Sequence, residues 1–89
     1  MAVEIDWEFV GKGLLNPTQR IMLEAWAAAD KPVSVTGLQR VLGTGKNVQS
    51  LSYHCNVLRD RKWIKRAGTR RVRGATEQFW VIAPEIIKK

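Results

Sequence analysis

Two apolar runs near the end of the chain, Trp63-Ile64 and Phe79-Trp80-Val81-Ile82, flank a stretch that holds Lys65, Arg66, Arg70, Arg71 and Arg73 within ten residues. So many cations cannot be buried without partners. The apolar runs must therefore pair with each other while the basic stretch stays in water. Trp63–Arg66 reads as a strand, Ala67–Gly74 as a basic loop marked by glycine, and Ala75–Ile82 as the returning strand. This hairpin fixes one end of the fold and leaves the rest of the core to what precedes it.

What precedes it is helical in pattern. Asn16-Pro17 is a good start signal, since Asn caps well and Pro is tolerated at the first helical position. Thr18–Ala29 then runs without a breaker, and Asp30-Lys31-Pro32 ends it. Its apolar residues Ile21, Met22, Leu23, Ala25, Trp26, Ala28 and Ala29 cover more than one stripe, which predicts burial on two sides. Val33-Ser34-Val35 suits either a short strand or an extended lead-in. Ser34 is then the cap of a second helix reaching Leu42, with Val35, Leu38, Val41 and Leu42 at helical spacing. Gly43–Asn47 is a turn, and Asn47 caps a third helix from Val48 to about Arg61. The sum is an α+β chain, mainly α: three helices plus a C-terminal β-hairpin wing, the plan of a winged helix-turn-helix. Residues 1–15 read as an N-terminal arm, 16–82 as the domain and 83–89 as a short tail.

Charge narrows the function classes. The chain carries a net charge of +7, but residues 1–30 sum to −3 and residues 31–89 to +10. Segregation of this kind points to a polyanionic partner more than to solubility alone. Cys55 is the only cysteine, so an internal disulfide and a cysteine-rich zinc site are excluded. No apolar run approaches the roughly twenty residues needed to span a bilayer, and the expectation is a cytoplasmic, nucleoid-associated protein with no membrane partner. His54 is the only histidine, with no acid and nucleophile at workable positions, so it reads as a packing residue and the chain as a non-enzyme. Gly43-Thr44-Gly45-Lys46 lacks the spacer of a phosphate loop and reads as a turn. No metal site, cofactor or small-molecule effector is indicated.

The third helix and the hairpin carry the candidate contacts. Gln49, Ser50, Tyr53 and Asn56 lie away from the Leu51, Cys55, Leu58 face, and amides and hydroxyls of this kind suit base edges in a major groove. Lys46, Asn47, Ser52 and Arg59 sit nearer the rim, where phosphate is the expected partner. An ordinary surface helix would be polar on the same face. What tips the balance is the following basic stretch, Lys65, Arg66, Arg70, Arg71 and Arg73, whose guanidinium groups fork onto phosphates and favour narrow minor grooves.

The order of motifs resembles the ArsR-like winged-helix regulators. Leu15-Asn16-Pro17-Thr18-Gln19-Arg20-Ile21-Met22-Leu23 is similar to the start of that group's first helix. Leu51-Ser52-Tyr53-His54-Cys55-Asn56-Val57-Leu58 is similar to its recognition-helix motif, and Arg73-Gly74-Ala75-Thr76-Glu77-Gln78-Phe79-Trp80 to its returning wing strand. Three departures stand beside the match: a turn about two residues longer, Cys55 in place of leucine, and no C-terminal helix after the wing. The resemblance implies a repressor-like transcriptional regulator that binds double-stranded DNA as a homodimer. The interface between copies is then expected at the arm and first helix, through Trp7, Phe9, Met22 and Trp26. Two other readings remain open at this point: a binder of nucleic-acid shape, Z-form-like, and a winged-helix module for protein–protein contact.

Overall fold

The computed structural model describes residues 3–11, 16–29, 31–43 and 47–89. Within them lie four helices, α1 (Trp7–Gly11), α2 (Pro17–Ala28), α3 (Val35–Leu42) and α4 (Val48–Asp60). Three strands, β1 (Val33–Ser34), β2 (Ile64–Val72) and β3 (Ala75–Ile82), form one antiparallel sheet in the order β1-β3-β2. This is a small α+β fold compatible with a winged helix.

Each helix begins where a side chain satisfies a free N-terminal amide. Asn16 accepts from the Thr18 N–H at 2.8 Å, Ser34 from Gly37 at 3.1 Å and Asn47 from Ser50 at 2.7 Å. The α4 C-terminus closes without glycine: Lys62 takes a φ of 64°, its N–H bonds the Arg59 carbonyl, and the Trp63 N–H bonds the Leu58 carbonyl. That pair of bonds is the Schellman pattern, and it turns the chain into β2.

The core gathers one face of each element. Met22, Leu23 and Trp26 of α2, Leu38 of α3, and Leu51, Cys55 and Leu58 of α4 meet Ile64, Trp80 and Ile82 of the sheet. Within one protomer α2 is buried on one side. Its buried positions Gln19, Met22, Leu23, Trp26 and Ala27 form a single stripe, while Ile21, Glu24 and Ala28 face water. The Trp26 indole N–H donates to the Val33 carbonyl at 3.0 Å, tying α2 to the start of the sheet.

The hairpin is longer than the sequence pattern suggested. Residues 67–72, expected in a loop, continue β2 as a strand, and only Arg73-Gly74 connects it to β3. Both residues have positive φ, 50° and 82°, as a two-residue type I′ turn requires. One irregularity interrupts the ladder. Arg66 pairs with Trp80 and Gly68 with Phe79, so Ala67 is an extra residue in a β-bulge.

The segments outside 16–82 belong to the same core. Ile5 bridges Ile87, the Asp6 N–H bonds the Ile86 carbonyl, and the Lys88 N–H bonds the Glu4 carbonyl, both at 2.8 Å. Ile5, Val10 and Ile86 are buried through this clasp. Among the described residues no helix is long and apolar enough to cross a membrane.

Candidate nucleic-acid interface

The exposed side of α4 follows from its capping and its buried stripe. With Leu51, Cys55 and Leu58 turned inward, Gln49, Ser50, Tyr53, Asn56 and Arg59 are exposed and Ser52 is half-buried. Tyr53 is 65% exposed, a large aromatic with its hydroxyl in water at the middle of the helix. Its ring stands edge-on to His54, at 5.3 Å between centroids. The His54 Nδ1 accepts from the Gln19 side-chain amide at 3.0 Å, so the histidine joins α4 to α2 and its role is packing. Asn47 is exposed, but its side-chain oxygen is occupied by the cap to Ser50. Arg59 is engaged by the neighbouring Asp60 carboxylate at 3.2 Å. Lys46 lies outside the described residues.

A cleft of about 260 Å³ separates α4 from β3, lined among others by Val48, Ser52 and Asn56 on one wall and Thr76, Glu77 and Gln78 on the other. Thr36, at the start of α3, borders it too. Side chains alternate along a strand, so the residues two and four before the buried Trp80 share its face and look toward α4. These are Gln78 and Thr76. The sequence held that signal in the parity of β3, but it becomes readable only once the inward position of Trp80 is known. Cys55 sits in the same cleft wall, and burial pushes its thiol up to about 11, slightly offset by the Arg59 charge. The thiol is therefore protonated at neutral pH and is no nucleophile.

The basic residues of the hairpin divide into two groups. Arg70 donates from Nη2 to Glu77 Oε1 at 2.8 Å and lies 5.7 Å from the Phe79 ring centroid. Glu77 also accepts from the Ser34 hydroxyl. The Ser34 bond, followed by the Arg70 bond, holds the Glu77 carboxyl below its ordinary range. Lys65, Arg66, Arg71 and Arg73 are exposed and form no ion pair within the described residues. Cross-strand partners in an antiparallel ladder share a face. Arg66, opposite Trp80, and Arg71, opposite Thr76, thus share the strand face of Trp80, whereas Lys65 and Arg70 share the face of Val81 and Glu77.

The residues expected between two copies of the chain are not grouped on a surface. Met22 has no exposed area and Trp26 only 4%, so both are core residues of the protomer and give a second copy nothing to bind. This corrects their placement at an interface. Trp7 is half-buried beneath the Arg20 guanidinium, 4.8 Å from its ring centroid, and Phe9 is exposed. Comparison of the chain with models of protein families, with curated proteins and with solved structures finds no match.

Proposed function

We propose that this chain is a winged helix-turn-helix domain that binds duplex DNA. In this reading α4 enters the major groove and the β2–β3 hairpin rests on the flanking backbone or minor groove. The observation that carries the proposal is the adjacency of two surfaces across one cleft. On one side is the exposed amide and hydroxyl face of α4, on the other β3 with Thr76, Glu77 and Gln78. Next to β3, on β2 and its turn, are the exposed Arg66, Arg71 and Arg73, which form no ion pair among the described residues. An α-helix with its side chains is about 10–12 Å across, the width of a B-form major groove. Gln49, Tyr53 and Asn56 then face base edges, while Ser50 and Ser52 reach either bases or backbone. Arg66, Arg71 and Arg73 neutralise phosphates. A transcriptional regulator of the ArsR-like kind, repressor-like and paired on its operator, is the cellular role this chemistry serves.

Titration of a fluorescent duplex at several salt concentrations tests the reading. Neutralising about three phosphates gives a slope near −2.7 in log affinity against log salt, or roughly a fortyfold loss between 50 and 200 mM. Binding that ignores salt, or no binding, overturns the proposal. Selection from a random duplex pool then separates sequence reading from shape reading. A defined consensus supports α4 in the major groove, and a palindromic one places two copies on the site. Enrichment of alternating GC sequence with inversion of its circular dichroism assigns the chain to Z-form recognition instead.

A further inference from the structure

The hairpin carries three arginines close together, Arg70, Arg71 and Arg73, and the sequence treats them alike. The structure does not. Up to Arg66 the ladder pairs residues in simple alternation, and the extra residue Ala67 then shifts the parity of everything that follows. With the bulge, Arg71 stands opposite Thr76 and Arg70 opposite Glu77. With Ala67 paired in line, Arg70 would oppose Thr76 on the cleft side and Arg71 would point away. One residue therefore decides which arginine shares the strand face of Trp80 and Thr76.

Arg70, on the Glu77 face of the strand pair, is the end of a connected set of bonds. Its guanidinium holds one Glu77 oxygen, the Ser34 hydroxyl donates to the other, and the same hydroxyl oxygen accepts from the Gly37 N–H at 3.1 Å. Ser34 is 97% buried, at 3% exposure, and is the N-cap of α3. The set thus runs from the exposed hairpin to the first helix of the α3–α4 pair. Gly37 fits closely here, since a Cβ at that position would come within 2.9 Å of Val33 Cγ1.

We infer that Arg66 and Arg71 are the arginines of β2 that engage the nucleic-acid backbone, and that Arg70 is a positioning residue holding the hairpin at a fixed angle to α3 and α4 through Glu77 and Ser34. This rests on the duplex-binding reading. Arg66 and Arg71 oppose residues four apart on β3, a span of about 13 Å at 3.3 Å per residue. That is well beyond the axial rise of about 3.4 Å between successive phosphates of one strand, so the two side chains can reach different phosphates. A phosphate neutralised by each is therefore a separate contact.

The full chain tests this in two independent measurements. In salt titrations with a random-sequence duplex, Arg66→Gln and Arg71→Gln each make the slope shallower by about 0.9, the value of one phosphate contact. Each also weakens binding about tenfold at low salt. Arg70→Gln leaves the slope where it was. In the free protein, hydrogen exchange of the Gly37 amide followed by NMR accelerates in Arg70→Gln and in Glu77→Gln. It is restored in Arg70→Lys and is unchanged in Arg71→Gln. A loss of slope in Arg70→Gln equal to that in Arg71→Gln overturns the division of labour. An unaltered Gly37 exchange rate in Arg70→Gln and Glu77→Gln overturns the positioning role. If the unmodified chain binds no duplex, the duplex reading falls and takes the Arg66 and Arg71 assignment with it. The exchange measurement then still decides on the connection from Arg70 to Ser34.

Discussion

The two halves of the β2–β3 hairpin share one ladder but are ordered by different forces. In the half next to the body, Ile64, Trp80 and Ile82 are buried against α2 and α4. In the outer half, from Gly68 to Gln78, every residue is exposed except the half-buried Glu77. The inner half is held by removal of apolar surface from water, worth about 1.5–3 kcal/mol for a large aliphatic side chain. The outer half has only its backbone bonds, its turn, the Arg70–Glu77 pair and the bond from Ser34 to Glu77. The root is thus held by burial and the outer half by polar bonds alone. In the duplex-binding reading proposed above, such a hairpin would meet a backbone whose local shape varies with sequence.

Substitutions in the two halves should therefore differ in kind as well as size. Trp80→Ala removes a buried indole at the root and is expected to cost about 3–5 kcal/mol. Set against a total of about 5–15 kcal/mol, that brings the whole domain near unfolding, as a denaturant midpoint would show. A loss under 1 kcal/mol would mean that the root is not anchored as described. Gly74→Ala forces a side chain into the left-handed region at the tip, at a cost of about 1–2 kcal/mol. Because the tip has little burial, the cost should appear as faster amide exchange at Thr69 and Gln78, with Ile64 and Ile82 unaffected. Equal acceleration at all four would erase the distinction between the halves.

Asn47→Ala provides a control away from the hairpin. It removes the cap of α4 and should cost about 1 kcal/mol of global stability with the hairpin amides unchanged relative to the rest. The smallest effect concerns acid. Glu77 has its folded pKa below the unfolded value, so its contribution is fully present above the ordinary carboxylate range. It is lost as pH falls through the depressed folded pKa. Melting temperature measured from pH 6 down to pH 3 should show a shallower decline in Glu77→Gln than in the unmodified chain. Parallel curves would show that the Ser34 and Arg70 bonds do not matter in solution.

Much of the helical architecture was legible in the sequence because its signals are local. Asn16-Pro17, Ser34 and Asn47 each mark a helix start that the structure uses, and the Leu51, Cys55, Leu58 spacing gives the inner face of α4. The strand character of residues 67–72 was hidden, since Gly68, Arg70 and Arg71 carry no apolar alternation. Their extension depends on the partner strand and on the Arg73-Gly74 turn. The bulge at Ala67 was hidden for a related reason. A parity change has no composition of its own, and it appears only when both strands are aligned. Met22 and Trp26 were misplaced because an apolar residue reads the same whether it faces a core or a partner. The site suffered more than the fold, because assigning contacts requires knowing which side chains already have partners. Arg70 and Asn47 are the examples, one held by Glu77 and the other by the Ser50 amide.

The clasp that joins Ile5 to Ile87 has a mechanical consequence. Glu4, Ile5 and Asp6 run antiparallel to Lys88, Ile87 and Ile86, so a pull applied through both flanking segments loads their bonds one after another. Bonds arranged in this way part like a zip, at lower force than a ladder loaded along its length. Tension on the domain would thus release the clasp and expose Ile5 and Ile86 before the β2–β3 ladder bore any strain.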